Sequence, residues 1–134
     1  MIEKIIHNNE ILAIHISKNY TSEGIEFFTP DEFPQQIGYM NRKKGYLIDP
    51  HIHNKVERKV HYSTEVLFIK KGLVRIDFYN NDKQYLESRN LSSGDIILLV
   101  SGGHGFEMLE NSEIYEIKQG HYVGEKDKTR FKPK

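Results

Sequence analysis

His51 and His53, Glu65 and His104 are the residues whose types and spacing could carry chemistry in this chain. Three imidazoles and one carboxylate form a donor set for a divalent transition metal. A His-x-His pair points both rings the same way if its segment is extended, because side chains i and i+2 of a strand share a face. Residues 65–72 read Glu-Val-Leu-Phe-Ile-Lys-Lys-Gly, so Glu65, Leu67 and Ile69 form one face turned toward a core. A carboxylate heading an apolar face is costly to bury unless a cation or a donor meets it. A metal ion held together with histidines would be such a partner. Neutral imidazole with carboxylate suits Fe, Mn, Ni, Zn or Co, and not the oxygen-only shells of Ca or Mg.

The elements that must position these residues read as strands. Val74, Ile76 and Phe78 alternate with Arg75, Asp77 and Tyr79, a period of two. A polar turn at residues 80–83 and a return over 84–91 predict a β-hairpin. Residues 92–95 form a second turn into a buried strand at 96–100. After the glycine-rich turn at 101–105, His104, Phe106 and Met108 share the face of the next strand. Residues 113–118 read as a further strand, and 11–16, 24–29, 35–41 and 45–53 as earlier ones. No window carries a helical stripe longer than about two turns. Short strands separated by Gly and Asn turns predict an all-β sandwich or barrel.

A length of 134 residues predicts one domain, 1–134. Within it, 1–44 would supply edge strands, 45–118 the core and 119–134 a C-terminal tail. Nineteen basic and nineteen acidic residues balance to zero formal charge, which disfavours nucleic acid as a partner. With no cysteine, neither a disulfide nor a thiolate nucleophile is available. No signal-peptide pattern and no membrane-length apolar run are present, so a cytoplasmic protein that does not meet the membrane is expected. The N-terminal edge strands are expected to pair with a second copy in a homodimer.

These residues resemble the two sequence motifs of the cupin superfamily, which are small jelly-roll β-barrels. The first motif, Gly, five residues and His-x-His, stands here as Gly45 to His51 and His53; its closing Glu, six residues and Gly are Glu65 and Gly72. The second begins at Gly94-Asp95 and reaches its histidine at His104. Eleven residues separate His53 from Glu65, more than the motif usually has, so 54–64 reads as an enlarged loop at the barrel mouth. Glu57 would suit the shorter gap, but no glycine follows it seven residues later. Val100 stands where the motif has proline, and Gly102-Gly103 absorb the earlier arrival of His104.

The resemblance implies His51, His53, Glu65 and His104 as metal ligands, with Arg58, His61 and Tyr62 touching a small-molecule ligand at the mouth. It implies a metalloenzyme acting on a small oxygen-rich, sugar-like molecule by isomerase, lyase or dioxygenase chemistry. A non-catalytic metal- or sugar-binding module is the first alternative. A metal-independent nucleotide-sugar epimerase of the related jelly-roll type, relying on a His and a Tyr, is the second. His121 and Tyr122 are expected to be structural, and His7 and His15 to lie at the surface or an edge.

Overall fold

The computed structural model describes all residues from Met1 to Lys134. The protein is all-β: ten strands and a single 3-10 turn at Gly124–Asp127. The strands are β1 Ile2–His7, β2 Glu10–Ile16, β3 Gly24–Phe27, β4 Gly38–Asn41, β5 Glu65–Lys71, β6 Leu73–Tyr79, β7 Tyr85–Ser92, β8 Ile96–Leu99, β9 Gly103–Met108 and β10 Glu113–Lys118. They form three separate antiparallel ladders, ordered β1-β2-β8-β5-β10, β3-β4 and β7-β6-β9. No helix is long and apolar enough to cross a membrane.

The chain divides into two compact units, Met1–Tyr20 with Tyr62–Lys134, and Thr21–His61. The units divide after Tyr20 and after His61. β1 and β2 therefore belong to the same unit as β5 to β10. β1 is an edge strand, whereas β2 lies inside the sheet between β1 and β8.

In the larger unit the five- and three-stranded ladders share one core. Ala13, Leu67, Ile69, Ile97 and Leu99 from the first meet Val74, Ile76, Phe78 and Leu91 from the second, with Ile5 and Leu12. The alternation of β6 explains why. Val74, Ile76 and Phe78 are buried on the inward face, and each fully buried side chain of this size contributes about 2 kcal/mol. Directly opposed residues in an antiparallel ladder share a face. Met108, Phe106 and His104 lie opposite Val74, Ile76 and Phe78 and share their face, with Phe106 and Met108 exposed beyond the core and His104 partly buried. Glu65 lies opposite Leu99, and Lys118 opposite Glu65, so both belong to the inward face of the larger sheet.

Gly72 is the one residue between β5 and β6, where the chain leaves one sheet for the other. Its φ of +98° lies in the left-handed region, and a Cβ there would stand 2.5 Å from the Asn111 carbonyl oxygen. The glycine closing the first motif is thus a corner that no larger residue fits.

The smaller unit is a hairpin with its own connections. Thr29 and Gln36 are joined side chain to side chain, and the Gln36 amide donates to the carbonyls of Pro30 (3.0 Å) and Phe33 (2.8 Å). Residues 45–53, expected as a strand, form none. Pro50 has no N–H to give a ladder, and no neighbouring strand pairs with the segment. The whole stretch 42–64 is irregular, longer than the loop read from the sequence.

Gly72→Ala should destabilise the fold by about 3 kcal/mol, combining left-handed strain with the clash. That corresponds to a fall of about 10 °C in Tm on thermal unfolding followed by circular dichroism. A shift under about 2 °C would mean that the corner relaxes freely.

Candidate functional site

Glu65 begins β5 and His104 is the second residue of β9, so the two side chains come from different sheets toward the same end of the shared core. His104 Nε2 stands 3.6 Å from Glu65 Oε2, and Lys118 Nζ stands 3.9 Å from Glu65 Oε1. The Glu65 side chain is only 12% exposed, that of His104 27%. At 3.6 Å and 3.9 Å both contacts are longer than a tight hydrogen bond.

The Glu65 carboxyl is held below its ordinary value of 4.5. His104 beside it is the largest cause; burial works in the opposite direction, and the charges of Lys118 and Lys128 add to the lowering. The carboxylate is therefore ionised at neutral pH although it is largely removed from water.

The two residues flanking this end are fastened to β10 and the segment after it. Gln119 N donates to the Thr64 carbonyl at 3.0 Å, and Thr64 Oγ1 donates to Gln119 Oε1 at 3.0 Å. Ser63 Oγ donates to Asp127 Oδ1 at 2.5 Å, tying the strand entrance to the 3-10 turn. The following residues dock too. Phe131 packs edge-on against Tyr79 with ring centroids 5.0 Å apart, and Lys134 Nζ lies 3.8 Å from the Tyr85 ring centroid. Gly103 leaves the room for Phe131, since a Cβ there would sit 3.0 Å from the Phe131 ring. The stretch read as a tail from the sequence is a packed part of the larger unit.

His51 and His53 belong to the smaller unit, in its irregular stretch. Their rings nevertheless stand together, edge to face with centroids 5.2 Å apart. The His51 ring meets the Asp49 carbonyl through Nδ1 at 2.9 Å, which leaves Nε2 available as a ligand atom. Arg58, His61 and Glu57 are exposed in the same stretch, and Tyr62, the first residue of the larger unit's second segment, is 83% exposed.

The donor types suit a divalent transition metal, and the 3.6 Å between His104 Nε2 and Glu65 Oε2 is compatible with a common ion at bond lengths of about 2.1 Å. Within neither unit does a group of three His, Asp or Glu side chains stand ready to hold one. The larger unit thus presents two donors, Glu65 and His104.

Two groups escaped the sequence. Lys118 faces Glu65 through the β5–β10 pairing, a register that alternation alone does not reveal. His15, expected at the surface or an edge, lies on an internal strand with its side chain 15% exposed, 3.5 Å from Asp95. Asp95 itself accepts from the backbone N–H groups of Lys18 (2.8 Å) and Ser92 (2.9 Å), so the Gly94-Asp95 of the second motif builds a turn. His7 lies at the end of edge strand β1, paired with Glu87.

No protein-family model, curated protein or solved structure matches this chain.

A lowered carboxyl value means that Glu65 contributes stability that is complete above its unfolded value and lost as pH falls through the folded one. His104→Ala removes the largest cause of the lowering. The Glu65 titration, followed by carboxyl-carbon NMR, should move to higher pH, and acid unfolding should begin at higher pH with it. An unmoved titration would show that the two side chains do not interact in solution.

Proposed function

We propose that this chain is a cytoplasmic cupin of jelly-roll type, whose reactive centre is the Glu65–His104 pair. On this reading it binds a divalent transition metal and acts on a small oxygen-rich, sugar-like molecule by isomerase, lyase or dioxygenase chemistry. The supporting observation is that an ionised, largely buried carboxylate stands 3.6 Å from an imidazole delivered by another sheet. Glu65 belongs to the first motif and His104 to the second, and the two side chains lie 3.6 Å apart although 39 residues separate them in the chain.

Glu65 and His104 would provide two donors. His51 and His53 enter as the further donors from the motif alone. A bound ion of this kind polarises substrate oxygens and lowers the pKa of coordinated water. The chain's own groups have separate tasks. Glu65 stays ionised and orients the His104 ring, whose Nε2 faces it. Lys118 sets a positive charge 3.9 Å from the second carboxylate oxygen of Glu65. Arg58, His61 and Tyr62, exposed in the irregular stretch or beside it, are candidates to contact the substrate's hydroxyls.

A second reading is a metal-independent nucleotide-sugar epimerase, relying on a His and a Tyr as base and acid, with His104 as the histidine. The absence of a third donor beside Glu65 and His104 within the larger unit favours it.

Metal analysis of protein purified without chelator separates these readings. The metal reading expects about one ion per chain in the wild type, reduced at least about tenfold in Glu65→Gln and His104→Ala, with smaller losses in His51→Ala and His53→Ala. Metal content indifferent to Glu65 and His104 would overturn it. A metal-free wild type whose nucleotide-sugar turnover is lost in His104→Ala would establish the second reading instead.

A further inference from the structure

A cleft of about 140 Å³ opens between the end of β10 and the 3-10 turn, lined by Lys118, His121, Tyr122, Lys128 and Arg130 together with Glu125 and Asp127. It is too small for a whole drug-sized ligand, whose pockets run from roughly 300 Å³, and it fits one functional group of a larger molecule. Its charges are not evenly committed. Arg130 Nη2 donates to Glu125 Oε1 at 3.1 Å, and Asp127 accepts from Ser63, so both acids already have partners. Lys118 has only the loose 3.9 Å contact with Glu65. The Lys128 charge acts on Glu65 and Glu125 without a close side-chain contact to either, while its backbone N–H reaches the Glu125 carbonyl at 3.4 Å.

Lys118, Lys128 and Arg130 against Glu125 and Asp127 give the lining a positive balance, with the His121 imidazole and the Tyr122 hydroxyl beside them. That balance favours an oxyanion. The walls are also built, because Ser63–Asp127 and Thr64–Gln119 lock the turn against the entrance of β5. Lys118 is common to the cleft and to the Glu65–His104 pair, so a group held here lies beside that pair.

We propose that this cleft binds the acidic group, phosphate or carboxylate, of the molecule on which the Glu65–His104 centre acts, with Lys128 as its principal contact. The oxyanion meets the Lys128 ammonium, which has no close carboxylate contact, and draws Lys118 partly from Glu65. The assignment deepens the proposed function and rests on it only for the identity of the bound molecule; the anion site itself needs no metal.

Two-dimensional NMR of the full chain, metal-free, titrated separately with inorganic phosphate and with acetate, tests it. One of the two anions should move the amides of residues 121–128 saturably, and which one does so identifies the acidic group. Lys128→Ala should weaken that binding about tenfold, the worth of one charge-assisted contact, and Lys128→Glu should remove it. Lys83→Ala, in the distant β6–β7 turn, should leave it unchanged. Lys128 is exposed, so circular dichroism of its variants should match the wild type. Shifts that do not saturate with either anion, or equal weakening in Lys83→Ala and Lys128→Ala, would overturn the proposal. Metal content is read in a different experiment, so loss of the anion site and loss of the metal reading cannot be confused.

Discussion

A carboxylate at the end of an apolar strand face must be met by something, and most of this protein's inner arrangement follows from that requirement. Glu65 continues the face of Leu67 and Ile69, both buried in the core. Leaving its charge unpaired there would cost several kcal/mol. The core itself delivers the remedy. Because Phe78 packs inward, the residue opposite it on β9 points inward as well, and that residue is His104. Packing of aliphatic side chains thus sets the position of the polar pair.

The other open side of the sandwich meets the same requirement differently. There the edge strands β1 and β7 bring Glu3 and Arg89 together, with Arg89 Nε and Nη2 2.7 Å and 3.0 Å from the two Glu3 oxygens. Arg89 also lies 2.6 Å from Glu87, which pairs in turn with His7. On the outer face of the three-stranded ladder Asp77, with its side chain 6% exposed, accepts from Arg75 and Ser88. In both places short, directional contacts satisfy every charge. Where two sheets run out of apolar cover, ion pairs take its place.

Much of this could be read from the chain. The alternation at Val74, Ile76 and Phe78, the hairpin that follows, the common face of Glu65, Leu67 and Ile69, and the strand bearing His104, Phe106 and Met108 all follow from a period of two. Gly72 stood out as the glycine that ends the first motif. β1 was not read, since its ladder is irregular between Ile5 and Ile6, which breaks the alternation that reveals a strand. Residues 45–53 misled in the opposite sense: apolar Leu47, Ile48 and Ile52 look strand-like, yet all three are exposed and no ladder forms. Lys118 and the cleft beyond it were illegible because both depend on which strands become neighbours. Local spacing carries no information about that.

The contrast among the polar clusters bears on which of them does chemistry. The Glu3–Arg89 pair is bidentate and close, the geometry of a contact that fixes structure and has no donor or acceptor to spare. Glu65 makes two contacts of 3.6 Å and 3.9 Å, each longer than a formed hydrogen bond. Its oxygens therefore retain unused lone pairs while its charge is stabilised from a distance. A purely structural carboxylate at 12% side-chain exposure would gain by closing those gaps, as Glu3 and Asp77 do. A carboxylate that must accept a further ligand gains by keeping them open, because a tight partner would first have to be displaced. Glu65 is the carboxylate at the core's end with capacity left over, and for that reason the functional reading centres on it and not on the more tightly bonded clusters.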